Sequence, residues 1–356
     1  MTTLEAQLRY PLGERLPAAS QLIQVAPGVH WLRLQLPFAL NHINLWLLED
    51  QRWVDGAWQQ GWCVVDTGIY HQESIDAWET LFANQAMLHD LPILRVIVTH
   101  CHPDHIGMAD WLCSRWGVAL WMSAGEYAFS RMMSAGLKGA DGPSMLPHFQ
   151  AHGLVQEQEK LDERKHYYTR YVPTVPSSYV RLLDGQRLTI GAHDWQVIIG
   201  YGHSPEHVSL YSESAQTLIS GDMLLPRIST NVSVFAIEPL ANPVTLYLDS
   251  LKKFLVLPDS TLVLPSHGKP FYGIAQRVLQ LQEHHAARLA EVLQACQEWQ
   301  SAFSILPIMF PRALDAHQLS FAMGEALAHL HKLWFDGLLE RRLDEDRVYR
   351  FKILTP

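Results

Sequence analysis

The sequence of 356 residues has few cysteines, few charged residues and no apolar run long enough to span a bilayer. Its four cysteines, Cys63, Cys101, Cys113 and Cys296, show no paired spacing, which argues against a disulfide framework and for a reducing compartment. The segment 1–17 carries charged side chains and no apolar core, so we expect no secretory signal. These absences predict a cytoplasmic protein that makes no use of a membrane.

An excess of positive charge is also absent. Aspartate and glutamate together number 36 against 27 lysines and arginines, and the net charge of −9 disfavours a surface built to neutralise phosphates. Nucleic acid is therefore a disfavoured partner, and a small-molecule substrate is favoured. With 48% hydrophobic residues, the chain can bury one large core or two unequal ones.

What the sequence does contain is an alternation of strand-like and helix-like segments. Short apolar runs predict strands within 29–48 and at 62–65, 93–98, 118–122, 180–183, 187–190, 195–199, 208–211, 217–220 and 261–264. Apolar residues spaced by three and four predict helices at 71–88, from Asp104 as helix cap through Leu112, near 244–255 and from 274 to about 302. This order is typical of an α/β fold.

Two parts of the chain depart from this alternation. Residues 125–176 are rich in methionine, tyrosine, glycine and proline, and they predict a mostly helical insertion that is either a lid or substrate wall, or a satellite packed on the sheet. Further on, a helical stripe over 318–335 and a β-ribbon over 347–353 predict a small winged-helix-like domain. We therefore predict a catalytic domain over 1–302 and a C-terminal domain over 303–356.

The most informative cluster follows the strand predicted at 93–98. Within six residues the chain offers three imidazoles and one carboxylate, from His100, His102, Asp104 and His105. The loop at the carboxyl end of a strand is where open α/β sheets bind ligands. Imidazole and carboxylate suit zinc, iron or manganese, so the cluster predicts a metal site.

Three later strands end in the same kind of residue. His203, Asp222 and His267 each lie beside a glycine just after an apolar strand. One such residue would mean little, because a lone histidine is usually an ordinary polar side chain at a surface or core edge. Three of them, behind the histidine-rich cluster, predict a single metal centre built from all of these side chains.

Together these motifs resemble those of metallo-β-lactamase-fold hydrolases over roughly residues 25–280, in a subgroup with a C-terminal winged-helix-like tail. The resemblance implies an αββα sandwich of two mixed sheets with the site along one sheet edge. The implied ligands of a first divalent metal ion are His100, His102 and His203. Those of a second ion are Asp104, His105 and His267, and Asp222 would bridge the two ions. Zinc is the expected metal, with iron and manganese as alternatives.

The resemblance also implies the chemistry. A metal lowers the pKa of bound water toward about 7, so a metal-bound hydroxide would attack a carbonyl or phosphoryl centre. Asp66, in the motif Val65-Asp66-Thr67-Gly68, is implied to orient ligand histidines, with a helix cap or turn former as the alternative. Asp104 could also orient water or carry a proton when one metal is bound. We take Asp66 and Asp104 as candidate catalytic residues.

Other residues are candidates for contact with a substrate. Arg227 could clamp a carboxylate or phosphate through its planar fork, with a structural ion pair as the alternative. Tyr201 and Glu206 replace a proline and a glycine that are common in relatives, and each is either a pocket residue or a solvent-exposed turn residue. Weaker candidates, for which packing is the alternative, are His148, Tyr167, Tyr168 and Tyr272. Cys101 is expected to be a small packed residue.

These features favour a metal-dependent hydrolase of a small ester, thioester or lactone. One alternative is a nuclease of the same fold, suggested by related enzymes with winged-helix tails, and another is an iron-dependent oxidoreductase like the persulfide dioxygenases. A non-enzymatic, metal-stabilised regulatory protein is the fourth. Acidic and basic residues are interspersed in 332–347, so this segment has no strongly positive surface. We therefore expect the tail to serve packing or homodimerisation rather than DNA binding.

Overall fold

The computed structural model describes residues 7–140, 142–155 and 166–354. The strands are Ile23–Ala26 (β1), Val29–Gln35 (β2), His42–Val54 (β3), Ala57–Val65 (β4), Ile93–Ile97 (β5), Leu120–Met122 (β6), Tyr179–Arg181 (β7), Arg187–Ile190 (β8), His193–Gly200 (β9), His207–Ser212 (β10), Thr217–Gly221 (β11), Leu262–Pro265 (β12), Leu339–Leu343 (β13) and Tyr349–Ile353 (β14).

The helices follow the same order along the chain. They are Gln72–Ala83 (α1), Gln85–Leu88 (α2), Pro103–Ile106 (α3), Ala109–Trp116 (α4), Ala124–Ser134 (α5), Gly142–Gln150 (α6), Tyr167–Tyr171 (α7), Pro243–Lys252 (α8), Ile274–Ala295 (α9), Leu306–Met309 (α10) and Ala316–Phe335 (α11), with a 3-10 helix over Lys253–Val256. None of the described helices is both long and apolar enough to cross a membrane.

The strands form two mixed sheets and a separate hairpin. In the seven-stranded sheet β1 to β7 follow one another in sequence order, antiparallel up to β4 and parallel from β4 to β7. The five-stranded sheet has the order β12-β11-β10-β9-β8, and only β11 and β12 are parallel in it. β13 and β14 form the hairpin. The predicted pair of mixed sheets is confirmed.

Alternation along the strands divides the core into layers. In β4, Val65 faces the other sheet and joins an inter-sheet core that includes Trp31, Trp46 and Trp195. Its neighbour Val64 points to the opposite face, into the core under the outer helices. A second outer core covers the five-stranded sheet with helices α8, α9 and α11. Burying each large apolar side chain stabilises the folded state by about 1.5–3 kcal/mol. The arrangement of helices, two sheets and helices is the predicted αββα sandwich.

The turn between β3 and β4 is one that the sequence analysis did not predict. Asp55 and Gly56 both have positive φ, 50° and 85°, as a two-residue type I′ hairpin turn requires. Trp53 and Trp58 flank the turn and pack edge to face at 5.4 Å. An Asp-Gly pair between strand-like runs is a strong hairpin signal, so the hairpin that joins β3 to β4 could have been predicted.

Two predicted helix boundaries are wrong. Asp104 does not cap a helix: His102 occupies the N-cap of α3, and the chain bends at Gly107 before α4 begins. A Cβ at Gly107 would lie 2.5 Å from the backbone nitrogen of Tyr70, so the close approach of this other segment requires glycine between α3 and α4. The helix predicted from 274 to about 302 ends at Ala295, because the chain then pairs with the edge strand β14.

The insertion is helical where the structure describes it, in α5, α6 and α7, and residues 141 and 156–165 lie outside the described part. In the tail, α11 packs on α8 and α9 and shares their buried core. The Tyr349 amide donates a hydrogen bond to the Ala151 carbonyl, 2.8 Å away, which ties the hairpin to the insertion. The domain boundary at 302/303 and the winged-helix assignment stay predictions.

Candidate metal centre

The candidate ligands lie together because several strands end at one edge of the sandwich. The parallel strands β4 and β5 end there, and they deliver Asp66 and the cluster that begins at His100. In the other sheet β9, β11 and β12 run in one direction, and their carboxyl ends deliver His203, Asp222 and His267. Topology thus places every predicted ligand at the same edge, as the sequence analysis expected.

The first group of side chains consists of His100, His102, His203 and Asp222. Nε2 of His100 lies 2.9 Å from Nδ1 of His102 and 3.2 Å from Nε2 of His203. Nε2 of His203 lies 3.5 Å from a carboxylate oxygen of Asp222. Three imidazole nitrogens and one carboxylate oxygen therefore converge on one point.

The second group consists of Asp104, His105 and His267. Nε2 of His267 lies 3.3 Å from Asp104 Oδ2, and Nε2 of His105 lies 3.6 Å from the same oxygen. The other oxygen of Asp222 is 3.5 Å from His267 Nε2 and 3.7 Å from His105 Nε2. Asp222 therefore faces both groups, one carboxylate oxygen toward each.

These separations fit metal ions better than direct hydrogen bonds. Two ligands about 2.0–2.2 Å from a tetrahedral ion lie about 3.3–3.6 Å from each other, close to most of the observed distances. Hydrogen bonds between these atoms would be about 2.7–3.2 Å long. Moreover, His105 Nε2 and Asp222 Oδ1 are buried without a hydrogen-bond partner among the described residues. The donor set, nitrogen and carboxylate oxygen, suits a divalent cation such as zinc.

In two of the candidate ligand histidines, the ring nitrogen that points away from the centre is hydrogen-bonded to a backbone carbonyl. Nδ1 of His203 lies 2.7 Å from the carbonyl of Asn231, and Nδ1 of His267 lies 2.7 Å from the carbonyl of His42. A carbonyl can only accept, so each Nδ1 must carry the proton. The Nε2 lone pair of each ring then points into the centre, as a metal ligand requires.

Asp66 orients two further histidines. Its carboxylate accepts from Nδ1 of His105 at 2.8 Å and from the hydroxyl of Thr99 at 2.9 Å. Because that hydroxyl donates to Asp66, it can accept from Nδ1 of His100, 3.0 Å away. Asp66 is buried with φ of +63°, a conformation that L residues rarely adopt. Asp66 is not the helix cap suggested as its alternative role, because the N-cap position of α1 is His71.

The electrostatics of the centre favour a cation. Burial alone would raise the pKa of Asp104, but His105 and His267 outweigh it and hold that pKa at about 2. Burial would lower the pKa of His105, but the three aspartates around it outweigh this and raise its pKa to about 10. The raised pKa keeps both ring nitrogens of His105 protonated, so the imidazole carries a positive charge among the three carboxylates. A metal ion bound to His105 would displace one of these protons.

Glu126 in α5 is a residue that sequence reasoning missed. One oxygen of its fully buried carboxylate accepts from the Cys101 amide at 2.8 Å. The other accepts from the Ser204 hydroxyl at 2.6 Å and from the Glu206 amide at 2.7 Å. Glu126 thus joins the loop that carries His100 and His102 to the loop that carries His203. Burial raises the pKa of its carboxyl.

The sequence offered only a misleading signal for Glu126. Ser123 and Glu126 have the Ser-x-x-Glu spacing of a capping box, which predicts a helix start. Ser123 is indeed the N-cap of α5, but its side chain makes no capping hydrogen bond and donates instead to the carbonyl of Glu206. The long-range contacts of both residues leave no trace in local spacing.

His207 at the start of β10 was also missed. Its ring is fully buried 4.8 Å from that of His100, and its Nε2 accepts from the amide of Asp222 at 3.1 Å. The ring occupies the space that a Cβ at Gly221 would need, so glycine is required there, also because φ is +54°. Burial lowers the pKa of His207 well below its usual value, so the ring is neutral and can accept this bond.

A cavity of about 750 Å³ opens onto the centre. Its walls come from the loop between β2 and β3, from helices α5, α6 and α7, from the segment 225–237 and from α11. Five of the candidate ligands line it: His102, Asp104, His203, Asp222 and His267. Tyr167 and Tyr168, both predicted as weak pocket candidates, also line it. The insertion and the tail therefore both shape the space next to the centre.

The remaining candidates for substrate contact are absent from the described lining of this cavity. Tyr201 is 37% exposed, and its ring faces the Lys253 ammonium at 5.6 Å. Arg227 is exposed on the segment that follows Asp222. Glu206 accepts from the Gly125 amide at the start of α5. The substrate-binding roles of Arg227 and Tyr201 stay predictions, and the structure does not bring either of them to the cavity.

The last two candidates lie elsewhere. His148 packs beside His152 at 4.9 Å between ring centres. Tyr272 stacks under the guanidinium of Arg9 at 4.0 Å. For both residues the structure shows packing.

An αββα sandwich with two groups of clustered histidines and aspartates at one edge defines a class of metal-binding α/β hydrolases. Residues 59–267 match the family model of the metallo-beta-lactamase superfamily, and residues 289–354 match that of the metallo-beta-lactamase-like C-terminal domain. The chain belongs to the metallo-beta-lactamase superfamily.

Known proteins of similar sequence or structure agree with this assignment. The crystal structure of a beta-lactamase domain protein from Burkholderia ambifaria has a TM-score of 0.92 and 52% identity, over 99% of this chain and 100% of that one. A probable metallo-hydrolase from Bacillus subtilis, YqjP, is 23% identical over 89% of this chain and 96% of its own length. An atrochrysone carboxyl ACP thioesterase from Aspergillus fumigatus is 24% identical over 77% of this chain and 71% of its own length.

Proposed function

We propose that the protein hydrolyses small esters, thioesters or lactones with two divalent metal ions, of which zinc is the first choice. The observation that carries this proposal is the pair of ligand groups that share Asp222 and open onto a cavity. In this proposal His100, His102 and His203 hold one ion, and Asp104, His105 and His267 hold the other. Asp222, whose carboxylate faces both groups, would serve as a shared ligand.

When bound, the metal pair would acidify a water molecule and stabilise the negative charge that develops on the substrate. The chain's own residues prepare this step. Asp66 and the carbonyls of Asn231 and His42 fix which ring nitrogens carry protons. Asp104 lines the cavity, and when only one metal ion is bound its ionised carboxylate could accept a hydrogen bond from water and so orient it.

The overall reaction balances without a further reactant. Water adds to the carbonyl carbon, and the C–S or C–O bond to the leaving group breaks. The products are a carboxylic acid and a thiol or alcohol, with the water's proton passing to the leaving group. Among the relatives, the thioesterase from Aspergillus fumigatus supports thioesters within this class.

The nuclease alternative receives no support from the cavity. A site for nucleic acid needs several cationic side chains to neutralise phosphates. Among the described residues that line the cavity, Arg312 is the only arginine or lysine, and it lies exposed.

The test is turnover of a panel of esters, thioesters and lactones. We expect hydrolysis of at least one class, its loss on treatment with a chelator and its return on addition of zinc. His102→Asn should abolish it, whereas the matched control His89→Asn, at an exposed surface position, should not change it. Full activity in chelated protein, or in the His102 variant, would reject the proposal.

A metal analysis of the untreated protein belongs to the same experiment. A fully active, iron-free preparation would exclude the dioxygenase alternative. Turnover of any substrate in the panel would reject the hypothesis that the protein is a non-enzymatic regulatory protein. Metal-dependent cleavage of single-stranded RNA, without hydrolysis of any ester or thioester, would replace the proposal with the nuclease.

A further inference from the structure

The walls of the cavity are apolar over most of their extent. Helix α5 contributes Phe129 and Met133, and α6 contributes Met145 and Phe149. The tail helix α11 contributes Phe321. These walls come from segments far apart in sequence, so the apolar surface is built by the fold and is not one local patch.

Contacts between these segments hold the walls together. The Ala236 amide donates to the sulfur of Met145 at 3.4 Å, which joins the segment 225–237 to α6. The rings of Phe129 and Phe235 lie 6.4 Å apart and join the same segment to α5. Phe38 packs on Tyr167 and Tyr171 of α7, at 5.8 and 5.6 Å between ring centres. The cavity is therefore a largely formed site, as small-molecule pockets usually are.

Charge is distributed unevenly along this cavity. Apart from the candidate ligands, the charged side chains among the described lining residues are Arg312 and Asp315, and both are exposed. The charged groups therefore lie at the candidate centre and at exposed positions, and the rest of the lining is uncharged, with apolar side chains and a few polar ones such as Thr230 and Gln318. A ligand that matches this pattern has a reactive carbonyl at one end and an uncharged hydrocarbon group attached to it.

We propose that the cavity binds the apolar acyl group of the substrate, so that the protein prefers thioesters or esters of medium-chain and longer hydrocarbon acids to acetyl compounds. This inference rests on the proposed function, because it assumes that the carbonyl reacts at the metal centre. The volume of about 750 Å³ lies within the usual range of small-molecule pockets, about 300–1,000 Å³. A short acetyl group would leave most of this space without apolar contacts.

The test is a series of thioesters that share one thiol and carry straight acyl chains from two to twelve carbons. Each methylene that enters the cavity is expected to raise kcat/KM about fourfold over the first several carbons. Phe129→Ala removes a wall and should reduce this increase per methylene. The control Val256→Ala changes an apolar residue that is 84% exposed and absent from the described lining, so it should leave the increase unchanged.

A binding measurement separates this inference from the proposed function. Calorimetry on chelator-treated protein should give a Kd for decanoate at least tenfold lower than the Kd for butyrate. Phe129→Ala should reduce this ratio of Kd values. Hydrolysis that is equal for all chain lengths, with no preference for decanoate, would overturn the inference and leave the hydrolase intact. A preference for decanoate without hydrolysis of any thioester would uphold the apolar site and reject the proposed reaction.

Discussion

At the scale of single residues, the protein fixes the protonation of its candidate ligands through the acceptors behind them. His203 and His267 each face a backbone carbonyl, while His105 faces the carboxylate of Asp66. Backbone carbonyls cannot be read from sequence, because any residue supplies one. Asp66 was a candidate through the motif that it shares with the family, and its carboxylate lies 2.8 Å from Nδ1 of His105; its catalytic role stays a prediction.

Glu126 gives a prediction at this scale. In Glu126→Gln one of the two carboxylate oxygens is replaced by an NH₂ group, which cannot accept a hydrogen bond. Depending on the orientation of the side-chain amide, either the Cys101 amide or the Ser204 hydroxyl and Glu206 amide lose their acceptor. We expect a loss of about 1–3 kcal/mol in the free energy of unfolding, measured by urea denaturation. The exposed control Glu213→Gln should change it by less than about 0.5 kcal/mol. Equal stability of both variants would show that Glu126 is not needed to join the two loops.

Glu325 on α11 gives a prediction about pH. Burial raises the pKa of this carboxyl from 4.5 to about 7, although it accepts a hydrogen bond from the Asn231 amide. Between pH 4.5 and 7 the folded state therefore holds a proton that the unfolded state has lost, so rising pH lowers the stability of the wild type. Glu325→Gln has no carboxyl at this position, so it lacks this contribution to the pH dependence of stability.

The measurement is the difference in free energy of unfolding between Glu325→Gln and the wild type across this pH range. Relative to the wild type, the variant should gain on the order of 2–3 kcal/mol from pH 4.5 to pH 7.5. Titration of the candidate ligands is common to both proteins and cancels in the difference. A difference that does not vary with pH would contradict the raised pKa.

At the scale of elements, the tail helix α11 supports the segment that holds His203. The Val234 amide donates to the Gly324 carbonyl at 3.2 Å, and Asn231, whose own carbonyl accepts from His203, donates to Glu325. A Cβ at Gly324 would lie 2.6 Å from the hydroxyl oxygen of Ser233, so only glycine allows the helix to approach this closely. The tail thus contributes to the candidate metal centre indirectly.

Gly324→Ala tests this support. Alanine would normally favour a helix by about 1 kcal/mol, but here it should push α11 away from the segment 230–234. We expect weaker metal binding, measured by competition with a chromophoric chelator, while circular dichroism shows the helices retained. Adding Ser233→Gly removes the two atoms closest to the new Cβ, the Ser233 hydroxyl oxygen and Cβ, and should restore the affinity. Unchanged affinity in Gly324→Ala would show that the helix does not position His203.

The elements themselves were largely predictable, and their failures have physical causes. The strands β8 to β12 follow from short apolar runs that lie close to the observed ones. The end of α9 was not predictable, since it depends on pairing between Gln300 and Phe351, residues far apart in sequence. The need for glycine at position 107 depends in the same way on a distant residue, Tyr70, whose backbone approaches it closely.

At the scale of the whole molecule, two sheets bring five strand ends to one edge, and the layers around them close a cavity over that edge. The order of strands and the spacing of ligand-type residues were enough to predict an α/β fold with a metal site, whereas the sandwich and the division into two ligand groups came from the family resemblance. The cavity was not predictable in the same way, because its walls combine α5, α6, α7 and α11. The insertion was expected to be either a substrate wall or a satellite, and its residues do line the cavity.

The most direct test of the account is a zinc titration of chelator-treated protein, in which bound metal and hydrolysis of a medium-chain thioester are measured on the same samples. Two ions should bind per chain, and hydrolysis should rise with them. Asp222→Asn should weaken both ions, because its carboxylate faces both groups. Hydrolysis that is complete without bound metal, or two bound ions that bring no hydrolysis of any ester, thioester or lactone, would contradict it.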